Sequence, residues 1–206
     1  MLPPLQICKC SGCKEKLIAY HIGRGLEGGS ELLEEPVARL LWLVWLVLPA
    51  YIANAAPVVL ARFYRKPRRP LDRGLVFVDG RRVLGDHKTV EGTCAAIAAG
   101  LAVSIAQAIV ENSIDALLRG GVLTIGAVLG DLAGAFVKRR LGLRPGAPAP
   151  LLDQLAFLYV ALTLVVLTGL CSLGWDDFAL LTILTLVLHI LSNAAAYMLH
   201  LKSVPW

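Results

Sequence analysis

An acid sits inside a stretch that otherwise suits lipid. Leu117 to Val137 is almost wholly apolar, yet it holds Asp131, and Lys138-Arg139-Arg140 follow directly. A carboxylate near the bilayer centre costs roughly 2.5–3.5 kcal/mol on insertion scales, so such a residue marks a functional site by default. Asp131, Ala135 and Lys138 stand at i, i+4 and i+7, on one helical face. That face offers a metal-binding oxygen and, about 10 Å along the axis, a cation at the membrane surface. The combination suits an anionic, phosphate-bearing substrate at the lipid–water boundary. A second acid, Asp153, stands near the start of the next apolar run. Asp131 and Asp153 are candidates to share a divalent ion, because Mg²⁺ favours oxygen ligands: one or two carboxylates plus substrate phosphates.

Plainer readings compete for each residue. Asp131 can serve as a structural partner of a basic side chain, and Asp153 as a charge at a helix N-terminus. Lys138-Arg139-Arg140 can be only a membrane anchor. Asp86 reads as a turn residue, and Glu91 equally as a helix-start charge or a substrate contact. His87, His189 and His200 read as packing or interface residues.

The elements that position these residues are apolar helices. Of the 206 residues, 57% are hydrophobic, against 45–50% in a soluble domain. The mean hydropathy is +0.68. Five runs are long enough to cross about 30 Å of hydrocarbon. They are Ala38–Leu60, Thr93–Val110, Leu117–Val137, Leu151–Leu173 and Phe178–His200. The first carries Pro49, Asn54 and Pro57. A kink and helix-to-helix contact are expected there, since neighbouring helices can satisfy the freed backbone groups. The second is rich in Ala and Gly, which suits close packing in lipid. Cys94 and Cys171 read as small core residues.

Charge sets the orientation. The stretch 61–92 carries nine lysines and arginines, and 138–150 carries four; 111–116 and 172–177 carry none. The positive-inside rule then places both basic loops and the C-terminus in the cytoplasm and the N-terminus outside. Arg39, Arg119 and the lysines of the N-terminal segment run against the pattern. The fold expected is an all-α integral membrane bundle of five transmembrane helices with a cytoplasmic loop hairpin. It lies in the cell membrane, and its chemistry faces the cytoplasm.

The hairpin is read from Leu75-Val76-Phe77-Val78, then Asp79-Gly80 as the turn, then Arg81-Arg82-Val83-Leu84. Gly85 to Gly92 then leads into the second span. There Gly85, Lys88 and Thr89 precede a helix start, where backbone amides and a cation can meet phosphate. The spacing is not that of a Walker motif. Residues 1–36 are polar and read as a mobile extension without a signal peptide, ahead of a transmembrane domain over 37–206. Cys8, Cys10, Cys13 and His21 have spacing that a zinc site can use, or are spare thiols in an irregular tail.

Three segments meet at one membrane face under this topology: Gly85–Gly92, Gly130–Arg140 and Pro148–Phe157. Together they resemble the CDP-archaeol synthase family, the archaeal branch of the CTP-dependent phosphatidate cytidylyltransferases. The family pattern is an Asp, a Ser, then Lys-Arg, and later a proline-bounded Leu-Asp-Gln-Leu-Asp-Phe. This chain has Gly130-Asp131, Lys138-Arg139-Arg140 and Leu152-Asp153-Gln154-Leu155 in the same order and spacing. Gly85-x2-Lys88-Thr89-x2-Gly92 is similar to the family's Lys-Thr loop, and Pro49–Asn54 to its first span. The resemblance runs from about residue 38 to the C-terminus. Ala135 stands where the family carries Ser, and Ala156 where it carries the second Asp. No ligand role passes to either alanine, and a weakened site is expected.

What the resemblance implies is nucleotidyl transfer. A prenyl-ether glycerol phosphate, 2,3-di-O-geranylgeranylglyceryl phosphate, attacks the α-phosphorus of CTP, giving CDP-archaeol and pyrophosphate. Mg²⁺ on Asp131 and Asp153 bridges CTP oxygens. Lys138 and Arg139 hold the lipid phosphate or pyrophosphate. Lys88, Thr89, Gly85, Gly92, Glu91, Gln154 and, more weakly, Arg140 contact substrate. The bilayer is a partner and nucleic acid is not. The rival readings are a CTP-dependent polyprenol kinase and a non-enzymatic lipid-binding bundle.

Overall fold

The computed structural model describes residues 31–64, 67–144, 147 and 149–198, and only the backbone of 31–35 and 192–197. Cys8, Cys10, Cys13, His21, His200 and most of the 1–36 extension lie outside the described residues. Five helices follow one another: α1 (Glu31–Phe63), α2 (Val90–Glu111), α3 (Ile114–Arg140), α4 (Pro150–Leu167) and α5 (Trp175–Met198). Among the described residues, α1 to α4 contain segments long and apolar enough to cross a membrane. The fold is all-α, with no strand longer than an isolated bridge among the described residues.

The expected fourth run splits early. Helix α4 ends at Leu167, not Leu173, because Gly169 adopts φ +71° and its N–H bonds Val166 O at 3.0 Å. A left-handed glycine just past a helix end closes the last turn and stops propagation. Apolar composition alone does not show this stop.

Helix α1 runs through Pro49. Proline has no N–H, so the Trp45 carbonyl four residues back loses its helical donor. The Gln107 side chain of α2 supplies one, donating Nε2–H to Trp45 O at 2.5 Å. A polar residue in an Ala-rich span is thus explained by a proline in another span.

Small residues set the helix contacts. A Cβ on Gly100 would lie 2.4 Å from the Thr124 methyl, and one on Gly120 would lie 2.5 Å from Ser104 Oγ. Ser104 and Thr124 each return their hydroxyl to a carbonyl one turn back, Gly100 O and Gly120 O. No hydroxyl is left bare in an apolar seam. Gly126 meets the Ala161 backbone of α4 in the same way, at 2.5 Å. Leu43, Leu46, Val47, Leu123, Phe157 and Leu162 fill the core between these seams. Ile105, Ile109, Ile125 and Leu129 face outward, as lipid-contacting residues do. So does Cys94, expected in the core; Cys171 is buried.

The arginines that break the charge pattern are paired. Arg119, near the start of α3 and almost fully buried, donates to Glu111 at 2.8 Å. Glu111 also accepts from Trp45 Nε1 at 2.8 Å. Arg39 of α1 pairs with Asp177 of α5 at 2.7 Å. Both pairs lie at the end of the bundle away from the 61–92 loop.

Candidate active site

The loop between α1 and α2 is built around one buried carboxylate, Asp72, only 4% exposed. It accepts from the amides of Gly74, Leu84 and Gly85 at 3.1, 3.0 and 2.9 Å, and from Arg82 Nη2 at 2.5 Å. Burial opposes its ionisation, but the Arg82 guanidinium and the amides of Gly85, Leu84 and Gly74 outweigh it. The carboxyl is held well below the usual carboxylate range. Arg82 also reaches Asp86 at 2.9 Å, which makes Asp86 a turn residue.

The hairpin forms in reduced form. Only Val76 and Arg82 make a bridge, with Phe77 N–H to Arg81 O at 2.8 Å and Gly80 N–H to Phe77 O at 3.0 Å. Gly80 is left-handed and Asp79 is not. The turn is therefore a three-residue loop, Val78-Asp79-Gly80, and not a two-residue turn with both central residues left-handed.

Arg140 fixes this hairpin to the end of α3. Its guanidinium lies 4.8 Å from the Phe77 ring centroid and 4.7 Å from that of Phe136. It pairs with Asp79 at 3.0 Å and donates to Arg82 O at 2.7 Å. In return Arg81 donates to the Arg139 and Arg140 carbonyls at the C-terminus, where regular helical donors run out. Arg140, expected to touch substrate, is engaged with the loop. Arg139 is buried, donates to Arg144 O at 3.1 Å and packs against Gly85.

Gly85 and Gly92 have structural reasons of their own. Gly85 has φ +91°, and a Cβ there would meet the Arg139 side chain. A Cβ on Gly92 would lie 3.0 Å from Thr89 Oγ1. The amides expected to cradle phosphate are occupied: Val90 N–H bonds Arg69 O at 2.9 Å, and Gly92 N–H bonds Thr89 Oγ1 at 3.2 Å. Thr89 is the N-cap of α2. Glu91, in the first turn of α2, accepts from Arg69 N–H and Nε at 3.0 and 3.2 Å.

Lys88 is left to point inward. Its Nζ lies 2.5 Å from Asp131 Oδ1, and this pair joins the loop to α3. It lines a cleft between α1, α2, α3 and the loop, together with Asn54, Pro57, Arg68, His87 and Thr89. Pro57 also removes the helical donor of the Ala53 carbonyl, and Ala53 lines the same cleft. The cleft thus gathers two cations, an imidazole, a carboxylate, an amide and the hydroxyls of Thr89 and Thr93 beside apolar walls.

Asp153 takes a different lysine. Lys138 Nζ lies 2.5 Å from Asp153 Oδ1, and the Ala149 N–H reaches Asp153 Oδ2 at 3.0 Å. Asp153 therefore also closes the first turn of α4. Lys138 faces α4 and not Asp131, although the two share a helical face. Gln154, next in the chain, is half-buried. Asp131 and Asp153 stand on neighbouring helices at the same end of the bundle. Gly130 abuts Ala156 and Phe157, and Gly134 abuts Leu152 and Ala156. Among the described residues no group of three His, Cys, Asp or Glu is placed to hold a metal by itself.

The CarS-like family of CDP-archaeol synthases matches residues 37–206. The chain belongs to the CDP-archaeol synthase family. It is 49% identical over 177 residues to a CDP-archaeol synthase of Thermofilum pendens, covering 82% of this chain and 81% of that one. It is 43% identical over 172 residues to one from Aeropyrum pernix, covering 82% and 94%. A solved structure of an intramembrane enzyme for archaeal membrane lipid biosynthesis is also similar. It shows a TM-score of 0.68 and 42% identity, over 75% of this chain and 94% of that one. CDP-archaeol synthases are enzymes of nucleotidyl transfer, and their apolar helices fit a multi-pass membrane protein.

For a member of this family, the cleft adds residues beyond those expected to touch substrate. Asn54, read in the first span for helix contact and resemblance alone, lines it. Arg68 is one of many basic residues in its loop, and nothing in its spacing marks it. His87, read as a packing residue, lines the cleft instead.

Proposed function

We propose that the Lys88–Asp131 cleft binds the CTP triphosphate, and that the chain transfers CMP from it to a prenyl-ether glycerol phosphate at the cytoplasmic face. The products are CDP-archaeol and pyrophosphate. The observation that carries this reading is the ion pair itself. It holds opposite charges in readiness where a triphosphate and its cation need both. On binding, Lys88 and Arg68 take phosphate oxygens, and Asp131 is freed for the cation.

The donor set fits Mg²⁺ that arrives with its nucleotide. That ion typically uses one or two carboxylates and completes its shell with phosphates and water, so a preformed cage is not required. Asp131 is the carboxylate we assign to it. Asp153, the second carboxylate expected, has both oxygens engaged, and we assign it the setting of Lys138. Held by Asp131, the ion would supply counter-charge to the triphosphate and the leaving pyrophosphate.

The lipid phosphate is already a nucleophile, so no strong base is needed. One of its oxygens bonds the α-phosphorus as the α–β bridging bond breaks, and pyrophosphate leaves with that electron pair. The protein contributes position and counter-charge. Lys138 stands at the α3–α4 seam, flanked by the outward-facing Val137, Leu141 and Leu151. A lipid headgroup can reach it there with its chains still in the bilayer. Arg139 and Arg140 hold the loop that carries Lys88. Helix α5 is proposed as the fifth span, and the N-terminus as external.

The test is incorporation of labelled CTP into lipid by the full chain in liposomes containing the prenyl-ether glycerol phosphate. CDP-lipid with pyrophosphate is expected. Phosphorylated lipid with CDP would instead indicate a kinase, and no CTP-dependent product would remove the reading.

A further inference from the structure

The hairpin between α1 and α2 carries apolar side chains that the protein does not cover. Val78 at its tip is 94% exposed, and Leu75 and Val76 are more than half exposed. Removing apolar side chains of this size from water is favourable, so three of them displayed together call for a partner. The hairpin's height supplies the partner's identity. Phe77 packs edge-on against Phe136, with ring centroids 5.3 Å apart. Phe136 lies four residues inside the end of α3, about 6 Å deeper along the axis than Arg140. The hairpin is therefore drawn down to the last apolar turn of a spanning helix and does not project from its end.

Charge completes the match. Arg73 is exposed, held at φ +46°, and makes no ion pair among the described residues; Arg81 is also exposed. The one acid of the hairpin, Asp79, is paired with Arg140. A tip with apolar side chains and flanking unneutralised arginines fits the headgroup–acyl boundary of an anionic leaflet.

We propose that the 75–84 hairpin inserts its tip into that boundary. Through the Arg140 clamp and Asp72, it then fixes the height of the loop that carries Lys88. The inference rests on the membrane placement of α3 and not on the cytidylyl-transfer reading, and its test needs no CTP.

A benzoylphenylalanine placed at Val78 of the full chain, in liposomes with labelled phospholipid, reads the contact directly on illumination. The same residue at Ile105, outward on α2, serves as the lipid-facing control, and at Asp86 as the exposed-loop control. Position 78 is expected to form lipid adducts as Ile105 does, and Asp86 not. Adding phosphatidylglycerol to phosphatidylcholine should raise the yield at 78. Arg73→Asn, which keeps a residue tolerant of positive φ, should lower that yield about fivefold. Lipid adducts at 105 but not at 78, or adducts at 78 to a second copy of the chain, overturn the proposal. So does a yield at 78 indifferent to both anionic lipid and Arg73.

Discussion

Gly130 of α3 meets Phe157 of α4 so closely that a Cβ on the glycine would lie 2.6 Å from the Phe157 Cα and 2.4 Å from the Ala156 carbonyl oxygen. Backbone, not a yielding side chain, fills the space. This contact holds Asp131 next to the helix that carries Asp153, and it does so from the position just before the acid.

Gly130→Ala should therefore destabilise the bundle by about 1–3 kcal/mol, the cost of overpacking a seam that cannot give. Gly121→Ala is the control, since its nearest neighbour would be 3.9 Å away. Thermal unfolding in detergent separates them: a clear fall in Tm for the first and little change for the second. Equal melting of both variants would mean that the helices part more easily than the geometry implies.

Asp131→Asn should weaken Mg²⁺-dependent CTP binding by more than about tenfold, since among the described residues it removes the one carboxylate that lines the cleft. Asp153→Asn should weaken it far less and act instead on turnover of lipid phosphate, by loosening Lys138. Calorimetric titration of CTP with and without Mg²⁺ distinguishes the two. Unchanged CTP binding in the Asp131 variant would remove that residue from the ion site.

Ala135→Ser and Ala156→Asp together should raise turnover. Ala135 is buried on α3, and the Ala156 side chain faces Gly134, 3.4 Å from where its Cβ would be. A carboxylate at 156 would thus stand between the two helices that carry Asp131 and Asp153. A double variant no faster than the parent chain in the CTP-incorporation assay would show that these alanines are not a lesion.

Asp72 makes the loop sensitive to acid. A carboxyl held below its ordinary pKa contributes stability that is fully present above the unfolded value, about 3.9, and is lost as pH falls toward the folded one. Hydrogen exchange of the Leu84 and Gly85 amides should accelerate relative to intrinsic rates as pH drops below about 4. Asp72→Asn should open the same amides at neutral pH, by about 2 kcal/mol, and abolish the acid step. Protection that ignores both would show that other contacts hold the loop.

Much of the architecture is legible in the order of residues. Apolar runs of spanning length, a basic loop and Asp131 ahead of Lys-Arg are local facts, and lipid imposes helices on such runs because no water is there to satisfy a backbone. The family block from 130 to 157 is legible for the same reason: its polar residues have no ordinary place in a span. Local features also misled. The run to Leu173 hid the stop at Gly169, and an Asp-Gly pair suggested a tighter turn than the one formed.

Pairings were decided by the tertiary structure. Asp131 shares a helical face with Lys138, yet takes Lys88 from 43 residues away, while Lys138 takes Asp153. Gln107 answers Pro49, and Asp72 gathers amides from both ends of a loop. A side chain's partner depends on which helices can approach, and glycine and alanine seams at Gly100, Gly120, Gly126 and Gly130 set that approach. The sequence by itself determined that an acid inside an apolar helix stands close to a cluster of cations at one end of a helical membrane bundle. Which cation meets which acid was settled only when backbones came close enough for one arrangement to exclude the rest.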